Sequence, residues 1–195
     1  MNQINPQEEI AYIKNIINDS KRIIIDDGKG FVLWGILVII GLLLTFFAIY
    51  FQYFDYLWLV WPFLMAFGWL YSLVIQFKKE KKRKVSTFAG KILGAVWLSS
   101  GISISMIALV GIYTDAFDSS YISPITSTIL GVSYFVSGAL YGKKWISMLS
   151  FGWWAAALFT FLFVSVYNLL IFAGVMLFLQ TIPGIILYQN SKKSL

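Results

Sequence analysis

The stretch FVLWGILVIIGLLLTFFAIYF, residues 31–51, decides the fold of this chain. It contains 21 residues and no charged side chain, and about 20 apolar residues of helix are enough to cross the roughly 30 Å of hydrocarbon in a bilayer. Its apolar residues are continuous rather than alternating, which favours a helix over a strand of a membrane barrel. We therefore predict a membrane-spanning helix here.

Five more apolar stretches of similar length follow the first one. We predict spans at 56–77, 89–113, 122–142, 145–166 and 168–188. The last two need a tight turn near Val166–Asn168, because their combined apolar run is too long for one span. The whole chain is 59% hydrophobic and 12% charged, whereas soluble domains are about a quarter charged. The predicted fold class is all-α: a polytopic membrane protein with six transmembrane helices.

The basic residues predict how these spans are oriented. The link KKEKKRK (78–84), the pair Lys143-Lys144 and the pair Lys192-Lys193 all follow even-numbered spans, and the links on the opposite side contain aspartates but no basic residue. Lys and Arg accumulate in the cytoplasmic loops of membrane proteins. We therefore predict a multi-pass protein of the cell (inner) membrane with both termini in the cytoplasm.

The residues before the first span are predicted to form a cytoplasmic amphipathic helix at about 6–27. Asn5 can cap it, Pro6 suits its first position and Glu8 falls at the capping-box position. Its apolar face consists of Ile10, Ile13, Ile17 and Ile24, which recur at helical spacing. This face is the predicted contact for a partner protein or for the lipid surface.

The chain is thus predicted to divide into a leader (1–30), a bundle (31–189) and a tail (190–195). A weak repeat runs through the bundle, because each odd-numbered span opens on a Gly-Lys pair. Duplication would give three hairpins, at 31–77, 89–142 and 145–188. The positive-inside rule would produce the same pattern in an unrelated six-span protein, so both interpretations stay open.

Small residues recur along one side of the third and fourth predicted spans. The two seams comprise Gly90, Gly94, Gly101 and Ser105 in one helix and Ser127, Gly131, Gly138 and Gly142 in the other. Small residues let helix backbones approach closely in lipid. We expect these spans to pack on each other as an antiparallel pair, with a face between copies of the chain as the alternative.

Four tryptophans are predicted to lie deep in the membrane, each about eight residues from the cytoplasmic end of its span. They are Trp69, Trp97, Trp153 and Trp154. A buried indole N–H needs a hydrogen-bond acceptor. The four rings could wall a pocket for a flat or apolar ligand, or they could be core residues that donate to hydroxyls of neighbouring helices.

The residues that are missing exclude several kinds of site. The chain has no cysteine and no histidine, which removes thiolate chemistry and the commonest general base and metal ligand. No Asp, Glu, Lys or Arg falls in the middle of a span, where proton relays and ion paths would need one. We therefore expect no catalytic residue, cofactor or metal. The net charge of +6 lies at membrane ends and predicts anionic lipid headgroups as the partner of residues 78–84, not nucleic acid.

Two regions resemble a known group of proteins. One is the leader from Glu9-Ile10 onwards, running into Phe31-Val32-Leu33-Trp34-Gly35, and the other is the final hairpin with Trp153-Trp154 and Pro183-Gly184-Ile185-Ile186-Leu187. They resemble small uncharacterised bacterial six-span inner-membrane proteins with a cytoplasmic amphipathic leader. This group has no assigned activity, so the resemblance implies fold and location alone.

Two functions remain from the sequence. The first is a non-catalytic membrane protein of interaction or regulatory type, which recognises a protein partner or another copy of itself. The alternative is a binding or transport component for an uncharged or apolar small molecule within the helix bundle.

Overall fold

The computed structural model of the chain describes residues 28–53, 57–82, 88–114 and 116–193, together with residues 7, 10 and 55. Within these residues the structure is helical and contains no strand. The helices are α1 (Lys29–Tyr50), α2 (Leu57–Lys82), α3 (Phe88–Tyr113), α4 (Ile122–Tyr141), α5 (Lys144–Leu162), α6 (Asn168–Met176) and α7 (Ile182–Lys193). A 3-10 turn at Ser119–Tyr121 precedes α4, and a π-helical turn at Leu177–Thr181 joins α6 to α7.

Six helices in the described chain are long and apolar enough to cross a membrane. The all-α fold class is therefore confirmed for the described residues, and so are six helices with the length and apolar character of membrane spans. The sixth span, Asn168–Lys193, comprises α6, the π turn and α7. The fifth ends earlier than expected, at Leu162, because the Asn168 side chain donates to the Phe163 carbonyl at 2.7 Å and holds the turn there.

Little of the predicted leader helix lies within the described residues. Gln7 and Ile10 are helical and exposed. Ile13, Ile17 and Ile24 lie outside the described residues, so the amphipathic helix and its apolar face stay predictions.

The tightest helix pair is α4 with α5. Gly142, at φ 64°, ends α4 in the left-handed conformation that glycine adopts easily, and the chain reverses at once into α5. Gly138 then lies directly against the Ser147 backbone, and Gly131 lies against the Trp154 ring. Glycines at these two points let the antiparallel backbones approach closely.

The first helix packs against the last span. Gly35 contacts Thr181 in the π turn, and a Cβ on Gly184 would lie 2.8 Å from the Phe31 Cβ. The Lys29 and Lys192 ammonium groups lie 5.8 and 4.7 Å from the centre of the Tyr188 ring. The start of α1 and the end of α7 therefore lie at the same end of the bundle.

The second and third spans are the least buried. Only 6% of the second and 11% of the third is buried inside the protein, against 56% of the fourth. The core lies among α1, α4, α5 and the sixth span, and its largest members are Phe31, Tyr134, Ile146, Trp153 and Phe172. Helices α2 and α3 flank this core and offer most of their surface to the surroundings.

The link before α4 is held by Asp118. Its carboxylate accepts a hydrogen bond from the Ser120 backbone N–H at 2.8 Å. This bond, with a smaller contribution from the Ser120 side chain, lowers the pKa of Asp118. The carboxylate therefore stays ionised at neutral pH and caps the 3-10 turn that leads into α4.

Candidate functional site

The four deep tryptophans do not line one common pocket. Trp97 and Trp153 both pack on Tyr134, with ring centres 5.5 and 5.9 Å from it. Trp69 is edge-on to Trp34 of α1 at 5.9 Å and lies against Gly101 of α3. Trp154 contacts Gly131 and packs with Phe135 and Phe151. Adjacent residues of an α-helix differ by about 100° in direction, so Trp153 and Trp154 face different neighbours.

The interior around Trp97 and Trp153 is filled by other rings. The cluster consists of Phe31, Trp97, Tyr134, Trp153 and Phe172, with neighbouring ring centres 4.8 to 6.2 Å apart. Trp153 is 0% exposed and Tyr134 is 1% exposed. This part of the expected ligand pocket is therefore packed core.

A buried polar pair lies beside this cluster. The Tyr134 hydroxyl donates to the Gln180 side-chain oxygen at 2.6 Å, and Gln180 is 3% exposed. The π turn contains Gln180 and Thr181, and such turns occur frequently at functional sites. Gln180-Thr181 beside Pro183-Gly184 was visible in the sequence, but nothing there connected Gln180 to Tyr134, 46 positions away.

Single indole hydrogen bonds connect the first four helices of the bundle. The four bonds are Trp34 to Ser72, Trp61 to Thr45, Trp69 to Ser105 and Trp97 to Ser137, at 3.0 to 3.3 Å. Trp154 donates to the Thr128 carbonyl at 3.4 Å. The buried Trp153 Nε1 has no partner within the described residues. Trp69 and Trp97 thus donate to hydroxyls of neighbouring helices, as expected for tryptophans that are core residues rather than pocket walls.

The two small-residue seams contact different helices. In α4, Gly131 and Gly138 face α5. In α3, Gly101 faces the Trp69 ring of α2, while a Cβ on Gly94 would meet nothing within 4 Å. This differs from the expected packing of one seam on the other. Helices α3 and α4 instead meet through hydroxyls, with 2.7 Å between the Ser100 and Ser133 oxygens.

The remaining seam residues have separate positions. Gly142 ends α4, and Gly90 is half-buried near the start of α3. Ser127 is fully buried, and its hydroxyl has no hydrogen-bond partner among the residues that the structure describes. Ser105 lies at the α2–α3 contact, where it accepts the hydrogen bond from Trp69.

A cavity of about 270 Å³ lies between α2 and α3. Its walls are Trp61, Pro62, Met65 and Trp69 from α2, and Ser105, Ala108, Leu109 and Ile112 from α3. Of the four deep tryptophans, Trp69 alone contributes to these walls. The Ser105 hydroxyl and the indole groups of Trp61 and Trp69 are the polar groups of the wall side chains, and the other side chains are apolar.

Hydrogen bonds bracket this cavity at both ends. Pro62 has no N–H, so the Trp58 carbonyl four residues earlier lacks its usual partner in α2. The Tyr113 hydroxyl of α3 donates to that carbonyl at 2.7 Å. The Trp69–Ser105 bond closes the other end. The proline thus lines the space between the helices and also leaves free the Trp58 carbonyl that joins their ends.

We expect Tyr113→Phe to weaken the α2–α3 contact by about 1 kcal/mol, the order found for hydrogen bonds between membrane helices. In a Pro62→Ala background the same change should cost much less, because the alanine N–H would satisfy the Trp58 carbonyl within α2. Unfolding of the four variants in detergent, arranged as a double-mutant cycle, measures this coupling. Equal costs in both backgrounds would show that the proline does not supply the acceptor.

No group of three or more His, Cys, Asp or Glu side chains is placed to hold a metal in the part of the chain that the structure describes. No known protein family, curated protein or solved structure matches the chain.

Proposed function

We propose that this protein is a non-catalytic integral membrane protein that binds an uncharged, apolar small molecule between its second and third transmembrane helices. The observation that carries the proposal is the 270 Å³ cavity between α2 and α3. Small-molecule sites are concave and mostly apolar, with a few polar groups that fix orientation. This cavity has that character, and its volume suits a short apolar molecule or one segment of a longer one.

The walls of the cavity determine the chemistry of the ligand. Eight residues form them, and none of the eight is charged. A charged ligand would lose its hydration without gaining an ionic partner, at a cost of several kcal/mol. Indole faces and aliphatic side chains, in contrast, gain from contact with apolar carbon. An uncharged apolar molecule is the ligand class that these walls favour.

Access to the cavity is proposed to be lateral, from the bilayer. Helices α2 and α3 have the smallest buried share of the six spans. Large apolar side chains beside the cavity are exposed, among them Phe63 at 72% and Met106 at 62%. A molecule dissolved in the hydrocarbon would reach the space between the helices without crossing water.

We further propose that both termini lie in the cytoplasm and that the protein belongs to the bacterial inner membrane. The shared position of Lys29 and Lys192 around Tyr188 supports placing the termini on one side. Anionic lipid headgroups would bind the basic residues 78–84 on that side. Recognition of a protein partner through the leader helix stays a prediction, because its face lies almost wholly outside the described residues.

Photolabelling tests the proposed site. The protein is reconstituted in phosphatidylcholine vesicles with a ten-carbon alkane that carries a diazirine, irradiated, and mapped by peptide mass spectrometry. Met65 lines the cavity and should be labelled saturably. The exposed Met106 should be labelled in proportion to probe concentration, because it samples the bulk bilayer.

Filling the cavity should remove the saturable labelling. Ala108 is 7% exposed and lines the cavity, so Ala108→Phe should lower labelling of Met65 about fivefold. Val110 is 39% exposed and does not line the cavity, so Val110→Phe is the matched control and should leave Met65 labelling unchanged. The cavity is not a binding site if Met65 labelling rises with probe concentration as Met106 labelling does, or if Ala108→Phe leaves Met65 labelling unchanged.

A further inference from the structure

Building on the proposed function, we propose that the ligand is an apolar molecule with one uncharged hydrogen-bond acceptor, such as a ketone oxygen, and that the Ser105 hydroxyl donates to it. This assigns a specificity residue within the α2–α3 cavity. The inference begins with the hydrogen bonds of Ser105 and with its depth along α3.

The Ser105 hydroxyl accepts a hydrogen bond and donates none within the described structure. It accepts from the Trp69 indole at 3.3 Å. Several serines of α3 and α4 donate to a carbonyl of their own helix, as membrane serines commonly do. Examples are Ser99, Ser133 and Ser137, at 3.0, 2.9 and 2.6 Å. The accepted bond orients the Ser105 oxygen toward α2 and leaves its proton for a third group.

The other side chains of the cavity provide no oxygen acceptor for this proton. These are Trp61, Pro62, Met65, Trp69, Ala108, Leu109 and Ile112, none of which has a side-chain oxygen. A hydroxyl proton without an acceptor in apolar surroundings is unfavourable. A ligand oxygen would satisfy it, and the bond would be stronger than in water because the surroundings are apolar. An acceptor-bearing ligand should therefore bind more tightly than a pure hydrocarbon of the same length.

The depth of Ser105 favours a free molecule over a bilayer phospholipid. Ser105 lies eight residues before Tyr113, the last residue of α3, which is about 12 Å of helix. Half of a bilayer hydrocarbon core is about 15 Å. The ester oxygens of phospholipids lie at the edge of that core, so they do not reach Ser105. Phospholipid acyl chains would fill the cavity without using this hydroxyl.

Two probes of equal length test the inference. One is the ten-carbon diazirine alkane used above, and the other is the same chain with a ketone oxygen. With the unchanged protein, half-saturation of Met65 labelling should need about fivefold less ketone than alkane, each expressed as concentration in the bilayer. Ser105→Ala should reduce this ratio to about one, whereas Ser105→Thr keeps the hydroxyl and should preserve the preference.

The ratio separates recognition from structural damage. Ser105→Ala also deprives Trp69 of its acceptor, and a looser cavity would weaken both probes alike. Ser103 is exposed on the same helix and does not line the cavity, so Ser103→Ala should keep the fivefold preference. Saturable labelling by both probes without a preference would overturn the role of Ser105 and leave the proposed function standing. Absence of saturable labelling by either probe would overturn both.

Discussion

Gly138→Leu is expected to prevent the protein from accumulating in folded form. A Cβ at this position would lie 2.8 Å from the Ser147 Cα and closer still to the Ser147 backbone nitrogen. Because the obstacle is backbone, the neighbour cannot turn aside as a flexible side chain would. Helices α4 and α5 would have to separate along the tightest contact in the bundle. Overpacking usually costs about 1–3 kcal/mol, and a backbone obstacle should cost more than about 3 kcal/mol.

Gly94→Leu provides the matched control. Gly94 belongs to the seam of α3, yet a Cβ there meets nothing within 4 Å. Yield and thermal midpoint of the two variants in detergent, measured by size-exclusion chromatography after heating, separate a steric effect from the effect of losing a glycine. If both variants behave alike, close approach of α4 and α5 is not what Gly138 permits.

Gln180→Leu should destabilise the fold by about 2 kcal/mol. It removes the acceptor of the Tyr134 hydroxyl, and Tyr134 is 1% exposed. Removing one partner of a buried side-chain hydrogen bond typically costs about 1–3 kcal/mol. The loss should appear as a lower free energy of unfolding in mixed detergent micelles.

Tyr134→Phe combined with Gln180→Leu should recover most of that stability. Replacing both partners of a buried hydrogen bond by apolar groups of similar shape is nearly neutral. The double variant should therefore be more stable than Gln180→Leu alone. Simple addition of the two single costs would mean that the 2.6 Å contact contributes no coupling energy.

The sequence predicted the spans well because they depend on local composition. The first span was expected at 31–51 and is Lys29–Tyr50, and the third was expected at 89–113 and is Phe88–Tyr113. Both follow from the thickness of the bilayer and the positions of the charges. The sixth span was less predictable, because the π turn depends on packing against α1, where Gly35 contacts Thr181.

The choice of neighbours was not predictable from spacing. Small residues at intervals of four and seven identify a face of a helix, but they do not identify the helix that covers it. Gly138 therefore faces α5, while Gly101 faces α2. The same holds for the deep tryptophans. The position of each ring along its helix follows from the sequence, whereas the neighbouring helix that the ring faces depends on the packing. A proline inside a span predicts a carbonyl without its helical partner, but the bond between the Trp58 carbonyl and Tyr113 required the arrangement of α2 and α3.

The packing of α1 against the sixth span has a consequence for biosynthesis. Ribosomes make the chain from its N-terminal end, so α1 is complete before α6 exists. At ordinary rates of synthesis the intervening helices take roughly ten seconds. During that interval the side of α1 that carries Gly35 contacts lipid or a chaperone instead of Thr181. Helix α5, in contrast, follows α4 directly in the chain, so these two helices can pack on each other as soon as both are made. Assembly of this protein should therefore begin near its middle and finish when its first and last helices meet.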